Sequence, residues 1–265
     1  MHPLITSHQN PKIKNLLSLE KARERRNQNL FVIEGTKELT LAMAGGYHIQ
    51  SVFFSPDIIA AARVLEIVKK ETLLIPVQQA VFEKVAYRES TGGIIAVAHQ
   101  KQHPLSTLKL KDASLILVLE GVEKPGNLGA ILRTADAAGA DALIICDPQT
   151  DFYNANVIRS SVGCLFTTQV ASASSAECIA WLKAQRIKIF CTYLQAAKPY
   201  YDIDFTSACA IVMGTESTGL SSLWVDSATA NIIIPMAGKI DSMNVSTATA
   251  VVVFEAKRQR MASHR

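Results

Sequence analysis

The second half of the chain alternates short apolar runs with segments of helical periodicity. The apolar runs lie at 115–119, 142–146, 187–192, 208–213 and 231–234. The helical segments between and after them lie at 128–138, 176–184 and 245–261. Apolar strands that alternate with helices of this length are typical of a mostly parallel sheet covered on both faces. The predicted fold class of this region is therefore α/β.

The first part of the chain is organised differently. Residues 1–28 form a basic segment predicted to be helical, and residues 29–99 alternate shorter strands and helices in a small α/β pattern. The polar stretch 100–113, which contains Pro104, is typical of a linker. A length of 265 residues allows two domains. We therefore expect a small domain at 29–99 and a larger one at 114–265.

The positive charge of the chain is concentrated near its start. The net charge is +4, but residues 1–110 carry 14 Lys and Arg against 9 Asp and Glu, whereas residues 111–265 carry 13 against 14. The basic residues cluster at Lys12, Lys14, Lys21, Arg23, Arg25 and Arg26. Such a cluster neutralises phosphates and predicts salt-dependent binding to nucleic acid. The alternative is a solvated helix face.

Several common sites are missing from the sequence. The five cysteines are widely spaced, with no C-x-x-C pair and no nearby His, so neither a zinc site nor a disulfide framework is predicted. No His lies between His103 and His264, which argues against a His-based catalytic triad there. Neither a dinucleotide-binding glycine pattern nor a P-loop is present. No long apolar window or secretion signal is found, so we expect a soluble, cytoplasmic protein without a membrane partner.

Three loop segments concentrate small and polar residues. Segment 120–129 runs from a strand through a Gly-rich loop into a helix, whose exposed backbone N–H groups favour an anion. Segment 214–219 follows an apolar strand, at the edge where open α/β sheets bind ligands. Segment 234–246 is a turn-rich loop before the last helix. Taken singly, each segment is equally compatible with helix capping or simple packing.

Taken together, the segments resemble the three motifs of the SpoU (TrmH-type) RNA ribose methyltransferases of the SPOUT superfamily. The matching residues are Asn127-x-Gly129-x-x-x-Arg133, Gly214-x-Glu216-x-x-Gly219, and Ile234-Pro235-Met236 with Ser242-Met243-Asn244-Val245-Ser246. The order and spacing of the motifs agree, and Met243 stands where Leu is common. The preceding domain resembles the small ribosomal-protein-like RNA-binding domain that many members carry.

The resemblance implies an enzyme that transfers a methyl group from S-adenosylmethionine to a ribose 2′-hydroxyl, with ribosomal RNA favoured over transfer RNA. It also implies a deep trefoil knot in the C-terminal region and a homodimer. The implied catalytic residues are Asn127, Arg133, Glu216, Ser242 and Asn244. The implied cofactor-binding residues are Thr192, Tyr193, Gly214, Ile234, Met236 and Met243. The implied RNA-binding residues are Lys12, Lys14, Arg23, Arg25 and Arg26.

Arg133 is the best candidate to contact the reacting hydroxyl and the adjacent phosphate, and Asn127 is expected to orient it. Because an arginine normally stays protonated, Arg133 acts either as a general base or by stabilising the forming alkoxide electrostatically. Three alternatives stay open: a transfer RNA substrate, methylation of a base, and a non-catalytic RNA-binding or ribosome-assembly factor.

Overall fold

The structure, a computed structural model, describes residues 2–69, 71–86, 92–196, 198–215 and 217–263. Its helices are α1 (Pro11–Ser18), α2 (Ala22–Gln28), α3 (Thr36–Ala44), α4 (Ala61–Ile67), α5 (Gln79–Val85), α6 (Pro125–Ala138), α7 (Ala155–Ser160), α8 (Ser175–Ala184), α9 (Ser222–Ser227) and α10 (Val245–Ala262). Its strands are β1 (Leu30–Glu34), β2 (Ile49–Phe54), β3 (Leu73–Pro76), β4 (Ile94–His99), β5 (Leu115–Glu120), β6 (Ala142–Cys146), β7 (Val170–Ala173), β8 (Lys188–Thr192), β9 (Lys198–Pro199), β10 (Cys209–Met213) and β11 (Ala230–Ile233). None of the described helices is long and apolar enough to span a bilayer.

The chain divides into two compact units. The N-terminal unit comprises Met1–Gln102 and Asp151–Thr167, and the C-terminal unit comprises His103–Thr150 and Thr168–Arg265. The segment 151–167 thus groups with the N-terminal unit, although the sequence analysis placed it inside the larger domain. Its assignment depends on aromatic contacts: the ring of Tyr153 lies 4.3 Å from that of Phe31, and Phe166 lies 5.1 Å from Tyr47.

The N-terminal unit contains a four-stranded sheet in the order β1–β4–β2–β3. Strand β4 is antiparallel to β1 and β2, and β3 is parallel to β2. Helices α1 and α5 bury Ile13 and Phe82 against one face of this sheet, beside Phe53 and Ile95. Burial of these apolar side chains is the main favourable contribution to the stability of the unit.

The basic segment forms two helices that are separated by a turn. Helix α1 ends at Ser18 and α2 begins at Ala22. Arg25 stabilises the break, because its Nη1 donates to the carbonyls of Leu19 and Glu20 at 2.8 and 2.7 Å. Carbonyls at the end of a helix need such partners, and Arg25 supplies them from the next helix.

The C-terminal unit contains a seven-stranded sheet in the order β7–β6–β5–β10–β8–β11–β9, and every neighbouring pair is parallel. Helices α8 and α9 pack on one face, where Ile116 and Val118 of β5 meet Leu182 and Trp224. Helices α6 and α10 pack against each other, and they also contact β6 and β10. The predicted α/β fold with a mostly parallel sheet is confirmed.

Candidate active site

Three neighbouring parallel strands end side by side at one edge of the C-terminal sheet. Strand β8 lies between β10 and β11. Four of the predicted cofactor residues lie at these ends: Thr192 and Tyr193 at β8, Gly214 at β10 and Ile234 at β11. The Tyr193 backbone amide donates to the carbonyl of Ile232 at 2.9 Å, which joins two of the three ends. This carboxyl edge is where open α/β sheets bind ligands.

The loop after β10 folds back on itself with backbone against backbone. Thr215 and Gly219 exchange two backbone hydrogen bonds of 3.2 Å. A Cβ atom on Gly214 would lie 2.3–2.5 Å from backbone atoms of Gly219 and Leu220, closer than any side chain tolerates. Glycine is therefore the one residue that fits at 214 in this loop. Glu216, predicted to be catalytic, lies outside the described residues.

Asn127 and Asn244 connect the first and third motifs. Asn244 is the N-cap residue of α10, and its Oδ1 accepts a hydrogen bond from the backbone amide of Ser246 at 3.0 Å. Its Nδ2 donates to Oδ1 of Asn127, 3.2 Å away in the first turn of α6. One side chain thus caps a helix and links it to the start of a second helix, which fixes the two loops relative to each other.

A cleft of about 100 Å³ lies beside this contact. It is lined by Val122, Glu123, Lys124, Asn127, Gly214, Thr215, Ser217 and Val245. The lining combines one carboxylate and one ammonium group with amide, hydroxyl and apolar groups. Glu123, Lys124 and Ser217 were not predicted as site residues, although all three lie within segments 120–129 and 214–219. Charged and hydroxyl side chains in loops carry no sequence signal that separates a cleft wall from ordinary exposed surface.

Arg133 projects from α6 with an exposed side chain. Within the ranges that the structure describes, its guanidinium has no hydrogen-bond or ion-pair partner, so the expectation that Asn127 orients it is not met. Six residues along an α-helix correspond to a rise of about 9 Å and a rotation of about 240°, so the two side chains leave from different faces. The Arg133 guanidinium is therefore available to a ligand.

The remaining predicted residues lie on the loop between β11 and α10. Ser242 is exposed, and its hydroxyl donates to Oδ1 of Asp241 at 3.1 Å. Met236 and Met243 are half-buried. Among the described residues, the cleft and the predicted cofactor set share only Gly214. The predicted site thus has two parts, a polar cleft and a sheet edge, which meet at the loop after β10.

A hydrogen-bond network that was not predicted from the sequence lies at the ends of β5 and β6. Ser175 Oγ lies 2.5 Å from a carboxylate oxygen of Asp147 and 3.3 Å from one of Glu120. The indole Nε1 of Trp224 donates to the same hydroxyl at 2.9 Å. The pKa of the Cys191 thiol is raised to about 12, mainly because the thiol is buried and also because of the negative charge of Glu120. Isolated serines and carboxylates give no pattern from which this network is predictable.

Four of the five predicted RNA-binding residues are accessible. Lys14, Arg23 and Arg26 are exposed on α1 and α2, and Lys12 is half-buried. Arg25 is only 3% exposed, contrary to the prediction, because its Nη2 forms a 2.6 Å ion pair with Asp151. Its guanidinium holds together parts of the N-terminal unit and does not contribute to a basic surface.

The fold is an α/β domain with a parallel sheet, and the carboxyl edge of such a sheet is where open α/β domains bind their ligands. Two family models match the chain: the SpoU rRNA Methylase family over residues 114–254 and the MRM3-like substrate binding domain over residues 10–96. The chain therefore belongs to the SpoU rRNA methylase family.

Individual relatives agree with this assignment. The chain is 30% identical to the 23S rRNA (guanosine(2553)-2′-O)-methyltransferase RlmP of Bacillus subtilis strain 168, over 94% of this chain and 97% of that protein. It is similar to a crystal structure of an RNA 2′-O ribose methyltransferase, with a TM-score of 0.84, 35% identity and coverage of 97% and 99%. An AdoMet-bound rRNA methyltransferase from Sinorhizobium meliloti gives a TM-score of 0.89 at 29% identity, with coverage of 96% and 97%. The predicted family, enzyme class and cofactor are confirmed.

Proposed function

We propose that this protein methylates the 2′-hydroxyl of one ribose in ribosomal RNA at the cleft that holds Asn127. The observation that carries the proposal is the hydrogen bond between Asn244 and Asn127. It joins two loops far apart in sequence at the rim of a cleft that also contains Gly214. The names of the relatives, which act on 23S rRNA, favour ribosomal over transfer RNA.

S-adenosylmethionine fits the sheet edge on the chemistry of the residues present. The loop after β10 exposes backbone in place of a side chain at Gly214, and the neighbouring ends carry uncharged Thr192 and Ile234. Such surfaces suit a flat heteroaromatic ring recognised by backbone groups. The cofactor would be held by Thr192, Tyr193, Gly214, Ile234, Met236 and Met243. When bound, it supplies an electrophilic methyl group on a sulfonium.

The polar residues activate and position the ribose. A ribose hydroxyl is a poor nucleophile, so its orientation and the stabilisation of its developing negative charge are the tasks of the protein. Arg133, with no partner among the described residues, contacts this oxygen and the adjacent phosphate. Asn127 orients the ribose from the cleft wall and is itself held by Asn244, and Ser242 and Glu216 complete the polar contacts around the ribose.

The N-terminal unit binds the RNA substrate. Its support is the match of residues 10–96 to a substrate-binding domain and the exposed cations Lys14, Arg23 and Arg26, with Lys12 half-buried beside them. We expect this unit to be the ribosomal-protein-like RNA-binding domain of the enzyme. Arg and Lys side chains on a helical surface neutralise phosphates and give affinity that falls with salt.

In this proposal the C-terminal unit forms a trefoil knot, and two copies of the protein form a homodimer. The enzyme acts in the cytoplasm, where ribosomes are assembled. The knot is supported by membership of the family, and the dimer by the exposed apolar side chains of Phe254 and Met261 on α10, which are 47% and 57% exposed. Sedimentation equilibrium of the full chain tests the dimer, for which twice the monomer mass of 28.8 kDa is expected.

Transfer of tritium from labelled S-adenosylmethionine to unmodified RNA tests the function. We expect counts in ribosomal RNA, lower counts in transfer RNA, and resistance of one phosphodiester bond to alkali at the methylated ribose. Cofactor binding without transfer to these RNAs would indicate that the substrate is another RNA, such as an assembly intermediate. Absence of both cofactor binding and transfer would favour a non-catalytic RNA-binding or ribosome-assembly factor.

A further inference from the structure

Glu120 anchors the far end of the loop that follows β10. It is the last residue of β5, the strand next to β10. Its Oε2 accepts a hydrogen bond from the backbone amide of Ser221 at 2.8 Å, and its Oε1 accepts one from the Ser221 hydroxyl at 2.6 Å. Ser221 is the N-cap residue of α9, yet its side chain makes no capping bond to the helix. The Ser221 hydroxyl donates to the Glu120 carboxylate instead.

The same carboxylate lies beside a second group of hydrogen bonds. Ser175 Oγ accepts from the indole Nε1 of Trp224 at 2.9 Å and donates its one proton to Asp147, 2.5 Å away. Glu120 Oε1 lies 3.3 Å from the same hydroxyl. The Trp224 backbone amide donates to the carbonyl of Ser221 at 3.1 Å. Together with the bonds between Glu120 and Ser221, these contacts hold the first turn of α9 against the ends of β5 and β6.

Close contacts join the described residues of this loop, 214–215 and 217–220. It starts at Gly214, which packs against the backbone of Gly219 and Leu220, and Leu220 itself is buried. Gly121, directly after Glu120, has a φ of +61°, and a Cβ there would lie 3.0 Å from the side chain of Thr215. Because Gly214 and Thr215 contact Gly219 and Leu220, the placement of these residues depends on the two ends of the loop, β10 and Ser221.

We propose that Glu120 is a positioning residue for the cofactor loop, which it holds in place through Ser221. The inference rests on the proposed function, in which this loop binds S-adenosylmethionine. Glu120 is not one of the residues expected to hold the cofactor, and its carboxylate contacts Ser221 and Ser175, so its action on the cofactor passes through the loop. The Glu120 side chain accepts hydrogen bonds from the backbone amide and from the hydroxyl of Ser221. In this proposal its role depends on these two hydrogen bonds and not on its negative charge.

This distinction makes the conservative variant informative. In Glu120→Gln the amide oxygen still accepts from the Ser221 backbone, and the amide NH₂ donates to the Ser221 hydroxyl, which can act as an acceptor. In Glu120→Ala both bonds are lost. We therefore expect Glu120→Ala to raise the Kd for S-adenosylmethionine by about tenfold, and Glu120→Gln to stay within about threefold of wild type.

Calorimetric titration of S-adenosylmethionine into the full-length protein tests the inference, with RNA affinity and thermal unfolding measured in parallel. The matched control is Ser222→Ala, an exposed neighbour for which we expect unchanged affinity. If Glu120→Ala does not fold, Ser221→Ala removes one hydroxyl from an exposed residue and is expected to raise the Kd by about threefold. Hydrogen exchange of the Ser221 amide should be faster in Glu120→Ala, while RNA affinity stays the same.

Wild-type protein that binds no S-adenosylmethionine would overturn the proposed function, and the inference with it. Wild-type binding combined with an unchanged Kd in Glu120→Ala and in Ser221→Ala would overturn the inference alone. A Glu120→Gln variant as impaired as Glu120→Ala would also contradict it, because the charge and not the hydrogen bonds would then be responsible.

Discussion

The side-chain amide of Asn244 donates to Oδ1 of Asn127 across 3.2 Å, so that residues 117 positions apart in sequence meet at one cleft. Asn244 also caps α10 through its Oδ1, which accepts from the Ser246 amide. The contact therefore has a local role in the stability of α10 and a long-range role in the arrangement of the cleft. The two roles are separable by substitution.

Asn244→Ser should separate capping from catalysis. Serine is as good an N-cap residue as asparagine, but its hydroxyl is too short to reach Asn127, so we expect stability within about 0.5 kcal/mol of wild type. The rate of methyl transfer should fall by about tenfold, and the double variant with Asn127→Ala should lose less than the product of the two single losses, because both changes remove one shared contact. The measurement is single-turnover transfer with both single variants and the double variant. Fully additive losses would mean that the two residues act independently.

Arg133→Ala should remove methyl transfer and leave cofactor binding intact. The guanidinium has no partner among the described residues, so its removal costs little stability, whereas loss of a charge that stabilises a forming alkoxide lowers kcat by about 100-fold or more. Single-turnover transfer and calorimetric binding of S-adenosylmethionine measure the two effects. Lys183→Ala, which removes an exposed cation from α8, is the matched control. Loss of cofactor binding in a folded Arg133→Ala protein would refute this assignment.

Arg25→Ala should lower the stability of the protein, whereas Arg26→Ala should weaken RNA binding. Arg25 pairs with Asp151, which is 29% exposed, and its loss leaves that carboxylate and two carbonyls without their partner. We expect a decrease of about 2–3 kcal/mol in the free energy of unfolding, measured by urea denaturation. Exposed Arg26 should leave stability unchanged and weaken RNA binding, with a shallower dependence on salt. Equal stability of the two variants would contradict the structural role of Arg25.

Alkaline pH should destabilise the protein through its buried thiols. Burial raises the pKa of Cys191 from 9.0 to about 12, so the folded state keeps a proton that the unfolded chain releases. Between those pH values the unfolded state binds fewer protons, and the free energy of unfolding falls by about 1.4 kcal/mol per pH unit for such a thiol. Urea midpoints at about pH 8 and about pH 10 measure the effect. In Cys191→Ala the decrease should be smaller; an equal decrease would exclude Cys191 as a contributor.

The central strands were predictable because their apolar runs are continuous. Strands β5, β6 and β10 are buried along nearly their whole length, so the local pattern and the final environment agree. Strand β7 was missed because it is an edge strand of the sheet, and half of its four residues are only partly buried. Helix α9 was also missed, because its polar start shows no helical periodicity and its position depends on the buried side chain of Trp224.

The site was predictable only where its residues form a recognisable pattern. The resemblance supplied Asn127 and Gly214, which line one cleft, and Asn244, which donates a hydrogen bond to Asn127. The roles of Arg25 and Glu120 depend on partners distant in the chain, Asp151 and Ser221, and no local pattern encodes such pairs. A charged side chain therefore looks the same in the sequence whether it faces solvent or closes a buried network.

The most direct test of the proposed function is the chemical identity of the methylated product. Unmodified ribosomal RNA incubated with the enzyme and S-adenosylmethionine is digested to nucleosides and analysed by mass spectrometry, with Arg133→Ala as the inactive reference. We predict a single 2′-O-methylated nucleoside that is absent with the variant. A methyl group on a base, or a product equally abundant with Arg133→Ala, would contradict a ribose methyltransferase that acts through this cleft.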